Sequence, residues 1–327
     1  MKKTIVMLCI LYSFVSPVLC MEKKALVGVF SHKGLKEQQD NRWDIKKLQG
    51  NIGIGVFDGL DGSKVSRLAQ EEFFDHYAYW ITKHPSTIKE SLSCGINNVA
   101  FDAIDINGEQ DPLAQQGLSL LASWLDLKSQ EGHVIYIGDA IAILLGKNAE
   151  TNNFTMSMTP PHRPTTQDHL LKGKRNVTRS LGDVLLKRNY PGCLSQIPDY
   201  YSYPLENGYL ILATAGLYDV LNSHDDVKRY EDFLAIMNHV ETMTNEEFNK
   251  VYPLPDNTTM ESEEEKESDS ETSYENSEDA EYWNKLRFGL EEVTQNDLMH
   301  KFAKRLVQAV LSRGYQDNIT IAVTSIE

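Results

Sequence analysis

The sequence predicts an α+β fold in which layers of helix pack against layers of sheet. Short apolar segments rich in β-branched residues recur along the chain, and glycine, aspartate or asparagine bounds most of them, as is typical of strands. Two amphipathic segments follow one another directly, and the chain ends on a strand after a further helical region. This order does not favour the regular alternation of strand and helix that builds a parallel sheet.

The individual elements follow from local pattern. The predicted strands cover 25–30, 52–57, 118–124, 134–137, 140–145, 209–213 and 319–323. The predicted helices cover 65–81, 87–104, a segment capped by Ser223 that runs toward Val240, and 297–312. Residues 210–221, LILATAGLYDVL, predict a buried strand that ends in a small polar turn before a second apolar stretch.

The net charge of the chain argues against some classes of binding partner. The formal net charge of −15 argues against nucleic-acid binding, which needs a basic face. Residues 261–281 hold eleven acids and one lysine, so a disordered acidic loop is predicted at about 256–282. Two interpretations stay open: a spacer without a role, or a site for acid-directed kinases or a basic partner.

The first twenty residues have the layout of a secretory signal peptide. Two lysines precede an apolar run at 5–15, and Pro17 and a small-residue cleavage pattern ending at Cys20 follow. The alternatives are a buried strand or an uncleaved anchor. We therefore expect a signal peptide at 1–20, one domain at 22–327, a secretory or secreted location with cytoplasmic as the alternative, and no membrane span after signal removal.

The cysteines and the N-glycosylation sequons add little to the prediction of fold or location. Outside the signal, Cys94 and Cys193 allow one disulfide, whose formation the sequence leaves open. N-x-S/T sequons stand at Asn153, Asn176, Asn257 and Asn318.

Four aspartates stand beside glycine or asparagine at the ends of apolar segments: Asp58, Asp139, Asp183 and Asp317. Singly, each is typical of a turn. Together, they are the ligands that hard cations such as Mg²⁺ and Mn²⁺ prefer, because these ions take oxygen ligands and need few carboxylates.

Seven segments of the chain are distinctive: SHKG through QQD at 31–40, GVFDGLDG at 55–62, VIYIGDA at 134–140, TPPHRP at 159–164, TRSLGD at 178–183, LILATAGLYDVL at 210–221 and GYQDNIT at 314–320. In this order, they resemble motifs of the PPM (protein phosphatase 2C) family of metal-dependent serine/threonine phosphatases. The resemblance implies a central β-sandwich of two antiparallel sheets, flanked by helix pairs, with a two-metal site at one end.

The resemblance also assigns roles. Asp58 would bridge two Mg²⁺ or Mn²⁺ ions, Gly59 would offer its carbonyl, and Asp317 would be a terminal ligand. Asp40 would hydrogen-bond a water of the metal, and Asp139 would serve a looser third-metal position seen in some members. Asn318 and Asp183 would support these ligands without binding the ions.

This chain departs from the motifs at several positions. Ala215 stands where the family has a metal-binding aspartate, which leaves that ligand position vacant. Leu60 replaces the histidine that would donate a proton to the leaving group, and the phosphate-binding arginine falls on Leu35. Gln39 replaces a glutamate and can still ligate through its amide oxygen. Lys33 or Lys36 could take the phosphate, but without the bidentate fork of arginine.

These losses compound, since a missing general acid alone costs on the order of 10²- to 10⁴-fold in rate. The first hypothesis is a pseudophosphatase that acts as a binding or regulatory module for a phosphoprotein or kinase partner, with one bound ion or none. The second is a weak but genuine Mn²⁺- or Mg²⁺-dependent protein serine/threonine phosphatase. The third is a folded relic with no retained site.

Overall fold

Two antiparallel sheets face each other and carry helices on their outer sides. A computed structural model describes residues 23–83, 87–106, 116–147, 154–163, 177–189, 194–221, 226–255 and 290–327. The predicted signal peptide at 1–20, the acidic loop at 256–282, the capping Ser223 and Cys193 lie outside these residues.

The first sheet has the strand order β1–β12–β10–β6–β7, and every pairing in it is antiparallel. Its strands are β1 (Ala25–His32), β6 (Ile141–Lys147), β7 (Phe154–Met158), β10 (Gly208–Ala213) and β12 (Ile319–Ile326). The first and last strands of the chain are therefore hydrogen-bonded neighbours.

The second sheet has the order β11–β2–β3–β4–β5–β9, with β8 paired to β4 beside that path. Its strands are β2 (Arg42–Leu48), β3 (Asn51–Leu60), β4 (Gly117–Asp126), β5 (Glu131–Ile137), β8 (Leu181–Gly182), β9 (Asp199–Pro204) and β11 (Leu290–Glu292).

Helices cover both outer faces. The helices of the described residues are α1 (Lys64–Lys83), α2 (Ile88–Ile106), α3 (Val184–Asn189), α4 (Ala215–Val220), α5 (Asp226–Thr242), α6 (Asn245–Val251) and α7 (Asp297–Ser312). Thr87 begins α2 with a capping box, because its hydroxyl accepts from the Glu90 N–H at 3.2 Å and its own N–H donates to the Glu90 carboxylate at 3.0 Å.

Three apolar layers hold the fold together. Val56 and Leu212 belong to the layer between the two sheets. Phe73 and Trp124 belong to the layer under α1 and α2, and Phe233 packs with α7 residues on the first sheet. The predicted sandwich of two antiparallel sheets flanked by helices is confirmed.

Two local differences from the predicted elements have physical causes. The stretch after β10 is the short helix α4 and not a turn, because Leu217 and Val220 reach the core at three-residue spacing. Strand β2 was missed since its sequence RWDIKKL carries four charges and lacks strict alternation.

Among the described residues, we find no helix that combines the length and the apolar character needed to cross a bilayer.

Candidate metal-binding cleft

An acidic cleft of about 340 Å³ lies at one end of the sandwich, where the end of β3, the β5–β6 turn, α4 and the loop before β12 meet. Six of its lining residues are aspartates: Asp40, Asp58, Asp61, Asp139, Asp219 and Asp317. The other lining residues are Lys36, Gly59, Leu60, Arg163, Val177, Ala215, Tyr315 and Asn318. We call this cavity the acidic cleft.

Asp58 is the electrostatic centre of the acidic cleft. Burial raises its pKa well above the ordinary value, and the charges of Asp139 and Asp317 raise it further. The backbone N–H of Ala215 donates a hydrogen bond to this carboxylate and partly offsets these effects. Crowded carboxylates of this kind favour either a proton or a cation among them.

Asp139 is held by the turn between β5 and β6. The Ser119 hydroxyl accepts from the backbone N–H groups of Asp139 at 3.0 Å and Ala140 at 3.2 Å, which fixes the turn on β4. Burial raises the pKa of Asp139, and the Arg163 guanidinium lowers it. Within the described part of the chain, its Oδ1 is buried and has no hydrogen-bond partner.

The loop before β2 and the loop before β12 are joined at the mouth of the cleft. The Asp40 N–H donates to the buried Asn318 Oδ1 at 3.1 Å. The Lys36 ammonium lies 3.2 Å from Asp317 Oδ1, with both side chains about half exposed. Burial raises the pKa of Asp40, and the Lys36 charge opposes that rise.

Ala215 occupies a rigid position. The preceding Thr214 is fully buried, and its hydroxyl accepts from the Thr320 N–H at 3.1 Å and from Asn41 Nδ2 at 3.3 Å. Gly216, which follows Ala215, lies so close to Tyr315 that a Cβ on it would stand 2.5 Å from that ring. The backbone that would present a carboxylate is therefore intact, while the side chain is a methyl group.

Gly59 lets β3 approach the loop before β2. A Cβ at this position would lie 2.5 Å from the Gly62 carbonyl oxygen and 2.6 Å from that of Asp40. The Ser66 hydroxyl donates to the same Asp40 carbonyl at 2.5 Å. Any side chain larger than hydrogen would therefore push the two cleft walls apart.

Most of the predicted site residues meet in the acidic cleft, and Leu60 stands among them. Gln39 and Asp183 are not among the lining residues. The Gln39 amide nitrogen donates to the Ser31 hydroxyl, and Asp183 accepts from the Ser180 hydroxyl at 2.6 Å beneath the end of β4. Leu35, at the expected arginine position, is 65% exposed. The roles assigned to Gln39 and Asp183 stay predictions.

Sequence reasoning assigned no site role to five lining residues: Asp61, Arg163, Val177, Asp219 and Tyr315. The Arg163 guanidinium forms ion pairs with Asp139 at 3.0 Å and with Asp219. Burial and the surrounding aspartates raise the pKa of the Tyr315 phenol. Arg163 follows His162 in the TPPHRP segment, but no local pattern indicates which carboxylates it reaches.

The donor set fits Mg²⁺ or Mn²⁺ on the Asp58 side of the cleft. Asp58, Asp40 and Asp317 supply hard oxygen ligands, and the buried Oδ1 of Asp139 lacks a partner among the described residues. Ala215 supplies no side-chain ligand.

A second group of metal-capable side chains joins α1 to α2, away from the cleft lining. His76 Nε2 lies 3.5 Å from Glu72 Oε2 and 3.3 Å from Asp102 Oδ2. These contacts link the two helices.

Comparisons with known proteins find similarity in sequence and in fold to one family. A model of the family Protein phosphatase 2C matches residues 169–249. A probable protein phosphatase 2C of Oryza sativa subsp. japonica is 27% identical over 225 residues, which are 61% of this chain and 74% of that protein.

Two solved structures share the fold. One is a sex determining protein of C. elegans, with a TM-score of 0.59, 15% identity and 91% of this chain covered. The chain spans less than two thirds, 64%, of that nematode protein. The other is the serine-threonine phosphatase 2C of Toxoplasma gondii, with a TM-score of 0.55, 16% identity, and 93% of this chain and 96% of that one covered. These two structures show that the chain shares their fold, and the sequence matches show its similarity to protein phosphatase 2C proteins.

Proposed function

We propose that this chain is a pseudophosphatase with the protein phosphatase 2C fold, which acts as a binding or regulatory module for a phosphoprotein or kinase partner. The observation that carries the proposal is Ala215. It lines the acidic cleft, where its backbone N–H donates to Asp58 and its methyl side chain offers no ligand.

The metal chemistry of the family is weakened on this chain. A bound Mg²⁺ or Mn²⁺ supplies Lewis-acid polarisation of a phosphoryl group and activates water. Asp58 and Asp317 would hold the ion, with Asp40 beside them. With one carboxylate fewer, the affinity for the ion falls, because each ligand charge contributes to binding.

Proton transfer and substrate orientation are also weakened. Leu60 lines the cleft at the general-acid position and carries no proton to donate. The exposed Leu35 cannot hold a phosphate. Lys36 is the lining cation closest to the expected phosphate position in sequence, and its ion pair with Asp317 places it at the cleft mouth. A single ammonium binds phosphate as a point charge and orients it less than arginine does. Weak phosphate recognition without efficient hydrolysis is therefore the proposed activity of the cleft.

A weak but genuine Mn²⁺- or Mg²⁺-dependent protein serine/threonine phosphatase is the second candidate. The grouping of Asp40, Asp58, Asp139 and Asp317 in one cleft favours it.

The test measures turnover and binding on the same preparation. The purified chain and Asp58→Ala are assayed with p-nitrophenyl phosphate and phosphopeptides in Mn²⁺ and Mg²⁺, and phosphopeptide binding is followed by fluorescence anisotropy. We expect binding with little or no turnover. Turnover that Asp58→Ala abolishes would overturn the pseudophosphatase proposal in favour of the second candidate. Neither binding nor turnover would indicate a folded relic.

We further propose that the chain enters the secretory pathway through the signal peptide at 1–20. The test expresses the full chain with a carboxy-terminal tag and assays the medium for endoglycosidase-sensitive protein. A full-length product found only inside the cell would contradict the signal assignment.

A further inference from the structure

Arg163 lies in the wall of the acidic cleft between two carboxylates. Its Nη2 is 3.0 Å from Asp139 Oδ2, and its Nη1 forms the ion pair with Asp219 Oδ1. One guanidinium thus bridges two aspartates that come from the β5–β6 turn and from α4.

The backbone holds this arginine beside its partners. The neighbouring His162 donates its backbone N–H to the Gly138 carbonyl at 2.8 Å, and its Nδ1 accepts from the Gly138 N–H at 3.1 Å. The His162 ring also stacks on Tyr136, with centroids 4.6 Å apart, and its Nε2 lies 3.0 Å from Asp199. The hydrogen bonds and ring stacking of His162 therefore hold the backbone next to Arg163 against the turn that carries Asp139.

The side chain of Arg163 is supported as well. Its guanidinium lies over the Tyr218 ring, 5.2 Å from the centroid, in a cation–π contact. An arginine guanidinium is effectively always protonated in proteins, so this side chain supplies a fixed positive charge between the two carboxylates.

We propose that the Arg163 guanidinium takes the place of a divalent cation between Asp139 and Asp219, so that the acidic cleft accepts metal only on its Asp58–Asp317 side. A divalent ion between Asp139 and Asp219 would have to displace two charge-assisted hydrogen bonds, both donated by the same planar guanidinium. This inference rests on the metal-binding part of the proposed function. It limits the number of divalent ions that the acidic cleft binds.

The test counts ions and does not rely on activity. Mn²⁺ is titrated into the full chain by calorimetry, and free Mn²⁺ is counted by electron paramagnetic resonance. The variants are Arg163→Gln and the double variant Arg163→Gln with Asp219→Asn. The matched control is Lys250→Gln, which also breaks a pair between a cationic side chain and a carboxylate, the one at 3.0 Å to Glu246 on α6, away from the lining of the cleft.

We expect Arg163→Gln to bind one more Mn²⁺ per chain than wild type, the double variant to lose that ion, and Lys250→Gln to match wild type. An unchanged ion count in Arg163→Gln would overturn the inference.

A further variant keeps the inference testable if Arg163→Gln does not fold. In the wild-type background, Asp219→Asn leaves the ion count unchanged, because Asp219 is bound to the arginine and not to metal. Loss of an ion in this variant would overturn the inference. Robust phosphopeptide turnover with the expected ion counts would contradict the proposed pseudophosphatase and leave the role of Arg163 intact.

Discussion

Restoring the missing carboxylate with Ala215→Asp should have opposite effects without and with metal. Without metal, the new side chain adds a negative charge beside Asp58, Asp139 and Asp317, whose charges already oppose ionisation in the cleft. Each like charge about 5 Å away costs roughly 0.8 kcal/mol at a water-like dielectric constant. Arg163 and Lys36 offset part of the repulsion from Asp139 and Asp317, and uptake of a proton relieves more. We therefore expect a loss of about 1 kcal/mol and a melting temperature lower by about 3 °C.

With Mn²⁺ bound, the same side chain becomes a ligand. A carboxylate about 2 Å from a divalent ion gains about 4 kcal/mol at that dielectric constant. The repulsion between the aspartates is present with and without the ion, so it cancels from the change in affinity, while displacement of the proton and water held by the metal-free carboxylate takes back part of the gain. We expect Mn²⁺ to bind at least tenfold tighter than in wild type, which corresponds to about 1.4 kcal/mol.

The assay combines thermal melting with and without Mn²⁺ and calorimetric titration of the ion. Ala215→Asn is the matched control, since its side chain has the same shape as that of aspartate but no charge. It should change the melting temperature and the Mn²⁺ affinity less than Ala215→Asp does. A raised melting temperature of the metal-free Ala215→Asp protein, or an Mn²⁺ affinity no tighter than wild type, would refute this account of the cleft.

Other predictions follow from the same cleft. Burial raises the folded-state pKa of Asp58 above its ordinary value of 3.8, so stability present below pH about 4 should be lost as pH rises through the raised pKa. Urea unfolding of metal-free protein at several pH values tests this, and a slope that Asp58→Asn does not reduce would contradict it. Gly59→Ala should cost about 1–3 kcal/mol, because its Cβ meets the carbonyl oxygens of Gly62 and Asp40 at 2.5 and 2.6 Å. An unchanged denaturation midpoint would rule this clash out. Asn318 should carry no glycan in folded protein made with a secretory leader, since it is 4% exposed and accepts from the Asp40 N–H. Mass spectrometry of the tryptic peptide measures this, and an occupied site would contradict it.

Much of the fold was predictable from local pattern. Strand 319–323 and helix 297–312 were placed correctly because apolar periodicity and the flanking asparagine and glycine signal these elements directly. The charged β2 and the six-residue α4 were missed, since pairing with β3 and burial against the core stabilise them more than their own sequence does. Strands β1 and β12 pair although nearly the whole chain separates them in sequence. Local sequence pattern does not predict such a pairing, and only the family resemblance and the tertiary structure indicate it.

The sequence by itself placed Asp58 and Asp317 near the ends of strands, because the distance of a residue from a strand along the chain is a local property. The missing ligand at Ala215 was identified from the resemblance of its motif to that of a phosphatase family. Only the tertiary structure decided which side chain neutralises aspartates of the acidic cleft. Arg163 lies 24 residues from Asp139 and 56 from Asp219, and the sandwich brings the three together. Ion pairing depends on distance in space, which local sequence does not encode.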